Sequence, residues 1–225
     1  MSETGVLAGG TSRPGIRSFG LRVALTAAAL VIWFGTQSLI GRRAVPASGI
    51  GDSVLTATAP INSYLLAHPG AANGLLIASS AFIDLLAIFL LLKWIVRGAL
   101  RPFLGLAIVL GLRQVMQAWV ALPTPPNAIW HYPGFPSLLV TYSVANDYFF
   151  SAHTAIAILG AVELARAGRR WLTGVALLVA VFEIMTVLVL RAHYTMDVFT
   201  GIVAALYAAH LAERIAGRVE GASSA

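Results

Sequence analysis

His193 and Asp197 stand four residues apart, so on a helix that begins at or just before His193 they share one face. A carboxylate there can accept one imidazole N–H and leave the other ring nitrogen free. That makes a histidine a directed base or nucleophile. His153 opens a different apolar run, and as an imidazolium it can donate a proton to a departing alkoxide. Two histidines and a carboxylate suffice for a displacement at phosphorus through a phosphohistidine, with no metal and no cofactor. Their spacing matches no zinc motif, and the chain has no cysteine to supply a thiolate, a disulfide or a cysteine-bound metal. By default His68, His131 and His210 are interfacial polar residues.

The scaffold follows from composition. With 225 residues, 58% hydrophobic and 11% charged, the chain is too apolar for a soluble domain. Its apolar residues fall in blocks of about 18 to 23, the length of helix that crosses a ~30 Å hydrocarbon core. The sequence predicts an all-α integral membrane bundle of six transmembrane helices, at about 19–40, 73–96, 100–122, 148–166, 171–190 and 194–211. Residues 1–19 read as a mobile tail, 20–213 as the membrane domain and 214–225 as a second tail. Residues 41–71, short of a span and broken by Pro60 and Pro69, read as an interfacial segment, and 123–147 as a long outer loop. The first apolar run is longer than the 7–15 residues of a signal-peptide core. An uncleaved helix is expected.

Orientation comes from the cations. Arg13, Arg17, Arg22, Lys93, Arg97, Arg101, Arg166, Arg169, Arg170, Arg214 and Arg218 fall on one side of this topology, against Arg42, Arg43 and Arg191 on the other. The positive-inside bias puts both termini in the cytoplasm and His153 and His193 on the outer side. It also accounts for the net charge of +6 without any nucleic-acid partner. Arg113 and Glu183 each lie about twelve residues into outward-running spans, a similar depth of ~18 Å, and are expected to pair or to serve substrate. Asp84 has no evident partner at its depth, and Glu163 is expected to reach towards Arg166 or Arg170.

Two motifs add a resemblance. Asp147-Tyr148-Phe149-Phe150-Ser151-Ala152-His153-Thr154 and His193-Tyr194-Thr195-Met196-Asp197 resemble the paired motifs of the type 2 phosphatidic acid phosphatase superfamily, and within it the sphingomyelin synthase-related branch. Arg113 followed by Leu122-Pro123-Thr124-Pro125 is a third likeness, and the three together cover the third to sixth predicted spans. The resemblance implies that His193 is the nucleophile on phosphorus, that Asp197 orients it, and that His153 protonates the leaving lipid alcohol and later deprotonates the acceptor. It assigns Arg113, Asp147, Tyr148, Ser151 and Tyr194 to substrate binding. Ala152 and Asn146 stand where the branch has glycine, and its early proline-rich motif survives only as Pro60-Ile61-Asn62.

The superfamily's phosphatases hold a phosphomonoester with Lys-x6-Arg-Pro and an arginine six residues before the nucleophilic histidine. Here Lys93 and Arg101-Pro102 are one residue too far apart, and the position six before His193 is Val187. A site poor in cations suits a phosphodiester, with one negative charge, better than a monoester with nearly two. The resemblance and this absence together predict a sphingomyelin synthase-like lipid phosphotransferase. It would move a phospholipid headgroup to a lipid alcohol such as ceramide or diacylglycerol, on the outer side of a membrane whose style suggests a bacterial inner membrane. The alternatives are a lipid phosphatase or phospholipase C-like hydrolase with the same residues, and a non-catalytic lipid-binding or transport protein.

Overall fold

The computed structural model describes residues 19–42, 50–142 and 148–222. Asn146 and Asp147 lie outside the described residues. Within these limits the chain forms eight helices: α1 (Phe19–Ile40), α2 (Ser53–Ala57), α3 (Ala59–Ala67), α4 (Pro69–Arg97), α5 (Leu100–Trp119), α6 (Ala152–Ala165), α7 (Arg170–Val189) and α8 (Thr195–Ala222). No strand occurs among the described residues. Five of them, α1, α4, α5, α7 and α8, are long and apolar enough to cross a membrane. Their outer faces carry large apolar side chains, such as Val31 at 73% exposed, Trp119 at 75% and Leu178 at 70%, where water would demand polar ones.

The predicted fourth span is the exception. Ser151 caps α6, its Oγ accepting from Thr154 N at 3.3 Å, so the helix starts only after the aromatic run and has 14 residues. At ~1.5 Å per residue that is ~21 Å, shorter than a hydrocarbon core. It survives because it is the inner helix, packed against α4, α5, α7 and α8 with nine residues buried. The predicted second span begins four residues earlier than expected, at Pro69, whose fixed φ suits the first helical turn. It stops at Gly98, in the left-handed conformation (φ 67°), whose N–H bonds Trp94 O at 2.8 Å.

Connectivity gives the bundle two ends. The α4–α5 and α6–α7 turns form a basic end, which the start of α1 joins by setting the Arg22 guanidinium against Gly98. The starts of α6 and α8 form the other, the histidine end. At the basic end Glu163 is 2% exposed and bonds Lys93 Nζ (2.8 Å) and Arg101 Nε (2.9 Å), with Arg166 Nε farther off at 3.9 Å. The expected reach towards Arg166 is met at ion-pair distance, and the shorter contacts are to Lys93 on α4 and Arg101 on α5. Those are the two cations that a phosphatase cradle would need, and they are held ten residues, ~15 Å, along α6 from His153.

At the histidine end α2 and α3 close the bundle. Asp52 caps α2 through Val54 N (3.0 Å) and Leu55 N (3.2 Å), and also bonds Thr195 N (2.6 Å) and Thr195 Oγ1 (2.7 Å) at the start of α8. Burial raises the Asp52 pKa, but the bonds from Thr195, Leu55 and Val54 outweigh it and hold the carboxyl below its usual value. A group with a depressed folded pKa stabilises the fold above its unfolded pKa, near 3.9, and loses that contribution as pH falls through the folded value. Asp52→Ala is therefore expected to cost about 1–2 kcal/mol at pH 7, as a lower thermal midpoint, and much less at pH 3. An equal loss at both pH values would rule out the charged double cap.

Candidate active site

His193 and His153 line the same small buried cavity, about 30 Å³, with Arg113, Trp130, Tyr148 and Trp33. His193 reaches it from the turn between α7 and α8, and His153 from the first turn of α6. Both are buried, at 4% and 6% exposed. The two helix starts are tied directly, Ser151 N donating to Asp197 O at 3.1 Å. Gly201 permits that approach, since a Cβ there would sit 2.8 Å from Ser151 O.

Asp197 is fully buried, and its Oδ2 lies 3.6 Å from His193 Nδ1. That is ion-pair range, longer than a hydrogen bond. The same oxygen accepts from Tyr194 N at 2.9 Å, so the carboxylate also caps the start of α8. His193 Nε2, on the far side of the ring from Nδ1, is the nitrogen left for chemistry. Tyr148 stands edge-on to the His193 ring, with centroids 6.4 Å apart, and Trp130 edge-on to His153 at 5.2 Å.

Arg113 donates from Nε to Phe150 O at 2.8 Å and from Nη1 to Gln37 Oε1 at 3.4 Å. It therefore holds the backbone just before Ser151 while facing the cavity. The expected Arg113–Glu183 pair does not form: Glu183, on α7, receives Ser79 Oγ of α4 at 2.6 Å. Equal depth on two helices does not imply facing sides.

Of the other predicted substrate residues, Tyr148 lines the cavity and donates its hydroxyl to Thr124 Oγ1 at 3.0 Å. Ser151 is the α6 cap and is fully buried. Tyr194 is buried in the apolar cluster of Leu55, Leu122 and Val187, and is not among the residues lining the cavity with the histidines. Asp147 lies outside the described residues. No group of three or more His, Cys, Asp or Glu side chains that could hold a metal occurs among the described residues.

Two further contributors were visible in the sequence but not in these roles. Asn62, in the remnant proline motif, bonds Val189 O (2.9 Å) and Asn127 O (3.3 Å), pinning the end of α7 to the Pro-rich loop. Arg191, in the left-handed region (φ 55°), is 8% exposed. Its guanidinium donates to Leu55 O (2.9 Å) and Pro126 O (3.2 Å), fixing the turn that delivers His193. A charge counted only towards the outer side of the topology is thus a buried brace.

The loop after α5 folds back into the bundle. Leu139 is 5% exposed and joins the main core with Trp33, Ile83 and Leu106, while residues 139–141 form a wall of the histidine cavity. Asp84, the sixteenth residue of α4, holds this segment by accepting from Leu138 N (2.7 Å), Leu139 N (3.1 Å) and Ser137 Oγ (3.2 Å). Backbone amides without a helix to satisfy them are tolerated at membrane depth only where the protein supplies acceptors. Asp84 is that acceptor.

Fold and site together define an all-helical membrane protein with a buried histidine pair at one end of its bundle. The chain belongs to the AtPDCT1/2 family, whose model matches residues 51–214. It is similar to phosphatidylcholine:diacylglycerol cholinephosphotransferase 1 of Arabidopsis thaliana, 24% identical over 197 residues, which are 86% of this chain and 62% of that protein. The chain thus spans less than two thirds of that relative's length. No solved structure matches it.

Proposed function

We propose that this protein is a membrane lipid phosphotransferase that moves a phospholipid's phosphoryl headgroup through a phosphohistidine to a lipid alcohol. The observation that carries the reading is one buried cavity lined by His193, His153 and, among the described residues, one guanidinium, that of Arg113. In the first half-reaction His193 Nε2 attacks phosphorus, the P–O bond to the lipid breaks, and protonated His153 gives its proton to the departing alkoxide. In the second, neutral His153 takes the acceptor's hydroxyl proton, the new oxygen attacks phosphorus, and the P–N bond breaks. Asp197 steadies the imidazolium on His193, and Arg113 offsets the one negative charge of the diester.

The family relative's name favours phosphatidylcholine as donor and diacylglycerol as acceptor over ceramide. The likeness to the sphingomyelin synthase-related branch supports a substrate-side role for Tyr148, which lines the histidine cavity, while Ser151 and Tyr194 act from behind it, as the α6 cap and in the apolar packing at the start of α8. We place the histidine end on the extracytoplasmic side of a bacterial inner membrane, opposite the basic end.

The test uses vesicles containing phosphatidylcholine labelled in its phosphate, with unlabelled diacylglycerol of a distinguishable chain length. Label is expected in new phosphatidylcholine carrying the added diacylglycerol. Label only in phosphocholine or phosphate would replace transfer by hydrolysis, and no movement of label would remove the enzymatic reading.

A further inference from the structure

A second cavity, about 300 Å³ and almost wholly apolar, lies between α1 and α5. It is bounded by residues 26–36 of α1 and 103–114 of α5, so at ~1.5 Å per residue it extends ~15 Å along the bundle. Both helices run from the basic end to the histidine end, which puts Thr26 and Phe103 at the bottom and Thr36 and Gln114 at the top. The top adjoins the site: Trp33 lines both this slot and the histidine cavity, and Gln114 of the slot follows Arg113 of the cavity.

The junction is polar and only partly satisfied. Gln37, 2% exposed, accepts on Oε1 from Arg113 Nη1 (3.4 Å) and Gln114 Nε2 (3.1 Å), which fixes its amide orientation. Gln37 Nε2 and Trp33 Nε1 are left buried without hydrogen-bond partners among the described residues. Two unpaired buried N–H donors are costly unless an acceptor arrives. An apolar slot below, an N–H collar at its mouth and a guanidinium beyond match, in that order, an acyl chain, its ester carbonyl and a phosphodiester.

We infer that the slot between α1 and α5 seats a fatty acyl chain of the phospholipid donor, with its ester carbonyl at Gln37 and Trp33 and its phosphate at the histidine cavity. The inference rests on the phosphotransfer reading for the direction in which the lipid lies. The donor is chosen over the neutral acceptor because only the donor brings an anionic phosphodiester to Arg113. In the second half-reaction the acceptor's oxygen enters where the donor's oxygen left, so the acceptor's chain takes the same seat.

Gly111 gives the means to test it. It lines the slot, and a Cβ built there meets nothing within 4 Å, so the backbone at this position accepts a side chain, and a large one takes up space in the slot. In the full chain, Gly111→Phe is expected to lower kcat/KM for dipalmitoyl phosphatidylcholine by at least about tenfold, the loss of roughly two buried methylenes, and to change the dihexanoyl donor by less than about twofold. Equal losses for both donors, or a penalty that follows acceptor length alone, would overturn the assignment.

Photocrosslinking with phosphatidylcholine carrying a mid-chain diazirine reads the same seat without turnover. Label is expected on residues 26–36 and 103–114 of the wild type and lost from them in Gly111→Phe. Label there from a protein that transfers no headgroup would keep the slot and remove the reaction. Label confined to the lipid-facing sides of α7 and α8, with transfer intact, would remove the slot.

Discussion

His193→Ala is expected to lower headgroup transfer by at least about 10⁴-fold, to background, while the protein keeps its fold. The backbone hydrogen bond that ties α6 to α8 runs from Ser151 N to Asp197 O and does not involve His193. Among the described residues its ring donates no hydrogen bond to another side chain, Nδ1 standing 3.6 Å from Asp197. Removal should therefore delete chemistry and little stability. His153→Ala should cost about 10²–10⁴-fold with a natural donor, the range for a general acid and base. The two variants separate with p-nitrophenylphosphocholine, whose leaving group needs no proton. His153→Ala should still become labelled on His193 and then stall for want of a base, whereas His193→Ala should form no labelled protein. Transfer by His193→Ala within about tenfold of wild type would end the nucleophile assignment.

The site was more legible in the sequence than its supports. His153 and His193 each open an apolar run, and the charge pattern put both at one end of the bundle, where the structure has them sharing a cavity. The sequence also gave depth, through residue counts, but not rotation about a helix axis. Arg113 and Glu183 are at similar depth yet turn to different neighbours, Arg113 to Phe150 and Gln37, Glu183 to Ser79. Hydropathy extended the fourth span through Tyr148-Phe149-Phe150 because aromatics are apolar, while the Ser151 cap starts the helix only at Ala152. Asp84 was out of reach for a different reason. Its partners are mostly backbone N–H groups, more than fifty residues away, which every sequence offers equally.

Asp84→Ala is expected to reduce transfer by about 10²-fold, although Asp84 touches neither histidine. The carboxylate accepts from Ser137, Leu138 and Leu139, and the next residues, Val140 and Thr141, form the cavity wall opposite the helices. Without it two amides at membrane depth lose their acceptor, so the segment must rise towards water or find new partners. Trp130 moves with it, since Trp130 Nε1 donates to Thr141 O at 3.1 Å and its ring packs on His153. A displacement of about 1 Å at His153, the proposed general acid, is enough for a loss of that size. Asp84→Asn keeps one acceptor oxygen, for Leu139 N and Ser137 Oγ, but turns an NH2 group against Leu138 N, so it should recover only part of the activity. A purely structural role would instead predict losses in the thermal midpoint that parallel those in activity for both variants. The positioning role predicts a disproportionate fall in kcat for Asp84→Ala, with phosphohistidine still formed from p-nitrophenylphosphocholine because that step does not need His153. Wild-type kcat in Asp84→Ala would show that the loop holds its place without the clasp.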